Sequence, residues 1–286
     1  VGSAQRAEDF CALRAANCAL MIIAQIVLDD ASQYERKCQR IDAEGLAAAG
    51  HTIALNPSAA DIVHVYAGRT LPALELKKPF VANVAPRSRK FSLRRVVNPA
   101  AIVTPFNVPE AIEESYFASS AGEIAGATQN IFIGSYARPS TQAMIEQTMH
   151  RIDRFRDDVA WRLFSHPPSP EEIASHGVWV DPAVDEDDYD GFVAEALACG
   201  VNVVATGTPI NMQRLEKGRT GFVVPPRDPN EMTHAILTAL FKPEVARARA
   251  EAARQTIAKF RAGGRIRALT RIYESIAAVE STLTRP

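Results

Sequence analysis

The sequence predicts an α/β protein built from two doubly wound, Rossmann-like domains. Three observations carry this expectation. Short apolar runs rich in Val and Ile alternate with longer stretches of helical spacing, as parallel strands joined by crossover helices require. The alternation comes in two blocks, separated by the small, polar stretch "ASSAGEIAGATQ" at 118–129. And 286 residues, 47% of them hydrophobic, are enough chain for two cores. The expected domains are residues 1–120 and 121–286, with the last helix packing back on the first domain. In such sheets a ligand sits beyond the carboxyl ends of the strands at the switch point, so the expected site is a cleft between two facing domains.

The elements follow in order. Residues 4–18, rich in Ala, Arg and Leu, read as a helix. "ALMIIAQIVLDD" (19–30) is a continuous apolar run closed by Asp29 and Asp30, which reads as a buried parallel strand and the loop at its carboxyl end. In 32–55 Ile41, Leu46 and Ala48 fall near helical spacing, Gly50 can cap the helix, and "HTIAL" starts the next strand. Shorter strands are expected at 60–67, 79–85 and 100–106. A short helix or turn is expected at 69–78, and a helix with Pro in its first turn at 108–118. The second block opens on the strand "NIFIGSYA" (130–137). An amphipathic helix follows at 141–158, with Met144, Ile145, Met149, Ile152 and Phe155 on one face. Strands at 159–165, 177–184, 201–206 and 220–224 alternate with helices at 192–199 and 229–241, with a loop between 206 and 220. Two Ala- and Arg-rich helices, 243–261 and 264–283, are expected to be separated by Gly263 and Gly264.

The composition excludes several classes. A net charge of −1 gives no global attraction to nucleic acid or to an anionic membrane. The basic loop "PRSRKFSLRRV" (86–96) reads first as solvated surface. It also leaves room for an anionic ligand or a peripheral membrane contact. No run reaches the ~20 apolar residues of a membrane-spanning helix. Cys11, Cys18, Cys38 and Cys199 form neither a Cys-x-x-Cys pair nor a zinc pattern, which fits reduced thiols in a cytoplasmic protein. No Walker loop, nucleophile elbow or complete Gly-x-Gly-x-x-Gly occurs. Neither a cofactor nor an oligomeric state is implied.

The segment "DYDGFVAEALACGVNVVATG", continued by "GRTGFVVPPRDPNEMTHAI", carries more information. Over about 180–241 the order is acidic loop, "EALACG", "VNVVAT", "GRTGFVVPP", "DP", helix. This resembles the donor-binding half of the retaining group 1, glycogen synthase-like GT-B glycosyltransferases. The likeness is fainter over 20–67 and thin between. It implies two facing Rossmann-like domains, a nucleotide-sugar donor as substrate, retention of configuration and no metal. Glu195, which opens the "EA" helix, would hold the ribose diol. Asp187, eight positions earlier, or the adjacent Glu186 would contact the donor sugar. Arg138, just after the first strand of the second block, would face the diphosphate. Backbone N–H groups near Gly207 and Thr208 would complete the site.

Elementary chemistry agrees. A carboxylate can accept two hydrogen bonds from a cis-diol. The first turn of a helix favours negative charge by about 0.3–1 kcal/mol. A planar guanidinium suits a diphosphate. Asp185, Asp188 and Asp190 read as loop charges. "DED" (185–187) also mimics a manganese-binding Asp-x-Asp, though outside that motif's usual setting. On the acceptor side Asp29 and Asp30, at the end of the first strand, and His64, in the strand at 60–67, are candidates. A core role is the plainer reading of His64, and a helix-capping role that of His51.

The chain departs from the family pattern at several points. No nearby Lys follows Arg138; the next residues are Pro139, Ser140, Thr141 and Gln142. Pro209 and Ile210 stand where a Gly-Gly pair is usual, and "DDASQYERK" (29–37) has no glycine. The expectation is a glycosyltransferase with an unknown acceptor. A non-catalytic GT-B-like binding or partner protein, and a nucleotide-sugar epimerase on the same fold, stay open beside it.

Overall fold

A computed structural model describes residues 20–29, 31, 33–67, 79–84, 100–103, 108, 110–119, 131–184 and 191–283. The expected helices at 4–18 and 69–78, the basic loop 86–96, and Cys11 and Cys18 lie outside these residues. The chain divides into two units. One comprises Val1–Ala85, Ser92–Val108 and Arg265–Pro286; the other comprises Pro86–Phe91 and Pro109–Gly264.

In the first unit the apolar runs become β1 (Ile22–Val27), β2 (Thr52–Ala54), β3 (Ile62–Ala67), β4 (Phe80–Val84) and β5 (Ala101–Val103). All pair in parallel, in the order β2-β1-β3-β4-β5. All six residues of β3 are buried, as a central strand covered on both faces demands. Helix α1 (Gln33–Ala48) links β1 to β2 and ends as the sequence suggests. Gly50 takes φ +96°, and the N–H groups of Gly50 and His51 close on the carbonyls of Ala47 and Leu46. The core of Met21, Ile23, Leu46, Ile62, Val81, Val103 and Val108 is completed from far along the chain, by Ile266, Leu269, Tyr273 and Ile276.

The second unit contains, in chain order, α2 (Glu114–Ala118), β6 (Ile131–Tyr136), α3 (Gln142–Ile152), β7 (Val159–Phe164), α4 (Pro170–Ala174) and β8 (Val178–Asp181). Then come α5 (Val193–Ala198), β9 (Asn202–Thr206), α6 (Pro209–Arg214), β10 (Phe222–Val224), α7 (Pro229–Phe241) and α8 (Pro243–Ile257). The parallel sheet runs β10-β9-β8-β6-β7. Side chains alternate across it. Trp179, Val203 and Ala205 join Leu197, Ala253 and Ile257 in one cluster. Val178, Val180 and Val204 join Met144, Met232 and Ile236 in another. Two apolar layers on one sheet make the unit doubly wound.

Four expectations change. The helix expected at 108–118 covers only Glu114–Ala118, because Ile112 bridges to Arg261 and its N–H donates to Phe260 O at 2.9 Å. The helix expected at 141–158 stops at Ile152, where the N–H groups of Phe155 and Arg156 both close on the Ile152 carbonyl. Phe155 is therefore off the buried face and 66% exposed. The break between the last two helices falls at Arg261, whose backbone is extended (φ −60°, ψ 146°). Gly263 and Gly264 lie in the first turn of α9 (Ala262–Leu283). Finally, the expected loop after β9 contains α6, with Thr208 as N-cap and Pro209 at its start.

Candidate functional site

The chain of the second unit goes from β6 outward to β7, then returns to lay β8 on the other side of β6. The switch point therefore lies between the carboxyl ends of β6 and β8, where open α/β sheets bind ligands. Two charged side chains meet there. Arg138 lies two residues past β6, its backbone held by a turn in which Thr141 N–H donates to Arg138 O at 3.0 Å. Asp181 is the last residue of β8. The Arg138 guanidinium donates through Nη2 to Asp181 Oδ1 in an ion pair, with side-chain exposures of 10% and 0%.

Two further segments converge on the same carboxylate. Asp181 Oδ2 accepts from Asn211 Nδ2 of α6 at 2.7 Å, and the same buried amide donates to Thr206 O at 3.2 Å. Gly191 packs against the Asp181 carboxyl so closely that a Cβ there would stand 2.3 Å from it. The Gly191 carbonyl is held in turn by Trp179 Nε1 at 2.8 Å.

Glu195 lies in the first turn of α5, and all six residues of that helix are buried. The residue before the helix, Phe192, adopts a left-handed conformation (φ 55°) and sets its ring edge-on to Tyr136, 5.0 Å between centroids. A carboxylate in that turn sits at the favourable end of the helix dipole. Burial, with the Glu195 charge adding to it, pushes the Cys199 thiol up to about 12.

Gly207 and Thr208 do not act as the free N–H donors expected above. Gly207 N–H donates to Val224 O and Thr208 N–H to Thr206 O, both at 2.8 Å. The Thr208 hydroxyl is engaged as well, accepting from Asn211 N–H at 3.3 Å. These groups are used in anchoring β10 and starting α6.

Among the other expected residues, Asp187, Glu186 and Asp30 lie outside the described residues, as do Asp185, Asp188 and Asp190. Asp29 is exposed just past β1, at the switch point of the first unit's sheet, and its carbonyl accepts from Arg36. His64 lies inside β3, fully buried, with Nδ1 2.6 Å from Tyr273 Oη and 3.2 Å from Tyr66 Oη. Burial and then the Arg265 charge hold its pKa well below the usual value. That is a core placement, away from the strand ends.

Sequence reasoning missed most of the polar architecture. In the first unit Arg265 forms a bidentate pair with Asp42, 2.7 Å on each side, and reaches Asn83 Oδ1 at 3.0 Å. Tyr66 Oη donates to the same Asp42 at 2.8 Å. In the second unit Arg214 grips Glu110 in a second buried bidentate pair, again 2.7 Å on each side. Asp181 did leave a signal, an acid closing the apolar run "GVWVD" just where a strand should deliver its carboxyl end. Among the described residues no three His, Cys, Asp or Glu side chains group as metal ligands, and no helix is long and apolar enough to cross a membrane.

Comparison with known proteins agrees with this geometry. Residues 102–241 match the family model Glycosyl transferases group 1. Among solved structures, a glycosyltransferase from Rickettsia africae ESF-5 is similar at 14% identity and a TM-score of 0.68, over 90% of this chain and 99% of that one. A sucrose-phosphate synthase from Thermosynechococcus elongatus is similar at 14% identity and a TM-score of 0.62, over 92% and 98%. Anabaena HepE, solved in complex with UDP-glucose, is similar at 12% identity and a TM-score of 0.60, over 92% and 100%. At such identities the likeness establishes the fold, which is GT-B. No curated protein matches the chain.

Proposed function

We propose, on the premise that this chain carries a group 1 glycosyltransferase domain on a GT-B fold, that it transfers a sugar from a nucleotide-sugar donor to an acceptor. The observation that carries the reading is Arg138 at the switch point of the second sheet, where a leaving diphosphate would need a cation. In this reading Glu195 holds the ribose diol and Asp187 or Glu186 contacts the donor sugar. The reaction retains configuration and uses no metal, the diphosphate charge being met by protein groups. A uridine nucleotide is the first donor to try, since a protein of the same fold, HepE, was solved with UDP-glucose.

The test is a thermal-shift titration with UDP, GDP, ADP and their sugar conjugates, with and without EDTA, on wild type and Glu195→Ala. A ligand that binds the native state raises the melting temperature by mass action. The reading expects an EDTA-insensitive rise with one nucleotide that Glu195→Ala abolishes. No rise with any nucleotide refutes it.

A second reading has its own support. The N–H groups of Gly207 and Thr208 are occupied and Arg138 is ion-paired, which fits a GT-B-like binding or partner protein without turnover. Nucleotide binding without sugar transfer to any acceptor, or slow hydrolysis, would favour it. An epimerase would instead convert a nucleotide sugar with no acceptor present.

A further inference from the structure

Resting on the reading of Arg138 as the diphosphate cation, we infer that Asp181 is a positioning residue that sets how tightly this chain holds a nucleoside diphosphate. It competes with the diphosphate for the Arg138 guanidinium.

The carboxylate is the fixed member of the pair. Its side chain is fully buried, one oxygen is held by Asn211 at 2.7 Å, and Asn211 is tied to the backbone of β9. Gly191 closes the space beside it. The guanidinium is the member with an outlet, since the Arg138 side chain keeps 10% of its surface. A phosphate reaching that surface meets a cation already matched by a buried negative charge. Part of its attraction to Arg138 is cancelled by repulsion from Asp181 behind it, and the low polarity of the surroundings strengthens both terms. The N–H groups at Gly207 and Thr208 do not make up the difference, because they are bonded within the protein. The second phosphate of a nucleotide therefore adds little to binding, and a nucleoside diphosphate product leaves readily.

The quantity to measure is the diphosphate increment, the ratio of Kd for a nucleoside monophosphate to Kd for the matching diphosphate. Calorimetric titrations of UMP and UDP, GMP and GDP, and AMP and ADP supply it for wild type, Asp181→Asn, Asn211→Ala, Arg138→Ala and the Asp181→Asn/Arg138→Ala double variant. Asp181→Asn removes the competing charge and is expected to raise the increment about tenfold or more. Asn211→Ala leaves the carboxylate more dependent on Arg138 and is expected to lower it by about threefold. In the Arg138→Ala background, where only the direct repulsion is left to remove, Asp181→Asn is expected to raise the ratio clearly less than in the wild-type background. A purely structural pair would move mono- and diphosphate binding together and leave the ratio unchanged.

An increment unchanged or lowered in a folded Asp181→Asn overturns the inference, and so does an effect as large without Arg138 as with it. If Asp181→Asn does not fold, the sign for Asn211→Ala decides. Wild type that binds none of the nucleotides overturns the proposed function as well, whereas wild-type binding with an unresponsive Asp181→Asn overturns this inference alone.

Discussion

Replacing Arg265 with methionine strands a charge in the interior of the first unit. Arg265 donates to both Asp42 oxygens at 2.7 Å and to Asn83 Oδ1 at 3.0 Å, and the Arg265 and Asp42 side chains have no exposed surface. In the variant Asp42 keeps the Tyr66 hydroxyl at 2.8 Å but loses its counter-ion, and Asn83 Oδ1 loses that donor. Removing one partner of a buried pair costs about 3–5 kcal/mol. With a urea dependence of roughly 2 kcal/mol/M, the unfolding midpoint of the unit should fall by about 1.5–2.5 M. Both tryptophans, Trp161 and Trp179, belong to the second unit, so indole fluorescence would report the wrong unit. Hydrogen exchange of the β3 peptide as a function of urea reads the first unit directly. The Asp42→Leu/Arg265→Met double variant should recover much of the loss, since an apolar pair avoids the desolvation cost altogether. A midpoint shift below about 0.5 M for Arg265→Met, roughly 1 kcal/mol, would show that water or rearrangement compensates the stranded carboxylate and would refute this account of the pair.

Other consequences can be checked independently. His64 is held neutral, so the unfolded chain takes up its proton first as pH falls below about 6.5. The stability of the first unit should be intact above that pH and decline below it, by up to about 1.4 kcal/mol per pH unit from this group. Urea unfolding between pH 7.5 and 5 should show a shallower decline in His64→Gln, with His51, also shifted down by burial, supplying the remainder. A Cβ on Gly134 would stand 2.6 Å from the Trp179 ring and 2.9 Å from His176, so Gly134→Ala should destabilise the second unit by about 1–3 kcal/mol, read from the indole fluorescence transition. Asp228 caps α7 by accepting from the N–H groups of Asn230 and Glu231, at 3.0 and 3.1 Å. Asp228→Ala should cost about 1 kcal/mol in the same assay and Asp228→Asn much less. Burial pushes the thiols of Cys38 and Cys199 up to about 11 and 12. Native protein at pH 8 should therefore leave both unmodified by iodoacetamide in site-resolved mass spectrometry, while urea should expose them.

Much of the fold was legible because central parallel strands, buried on both faces, read as nearly continuous apolar runs, and all ten described strands lie within stretches expected to be strands. Helix ends were legible where a cap residue enforces them, as at Gly50. They were missed where the cause is tertiary. Ile112 is drawn into a bridge with Arg261, 149 positions away, and no local pattern announces that. The site divides in the same manner. That Arg138 follows a strand and that Glu195 opens a helix could be read from the sequence. The pairing of Arg138 with Asp181 could not, since that carboxylate reaches it through strand order and is itself held by Asn211, on a helix that replaces the expected loop. The commitment of the Gly207 and Thr208 amides is likewise a matter of backbone pairing, invisible to side-chain chemistry.

The first unit draws its core from both sides of the second, and this orders events during synthesis. Residues 109–264 form one uninterrupted stretch and can complete their sheet as soon as they leave the ribosome. The strands that emerge earlier must wait. Until Ile266, Leu269 and Tyr273 arrive, β1 to β5 lack part of their apolar cover, and until Arg265 arrives Asp42 has no counter-ion. The usual vectorial sequence, in which the leading domain is finished first, is inverted. A chain truncated after Gly264 and released from the ribosome should carry a protease-resistant second unit behind a first unit that is still open to cleavage.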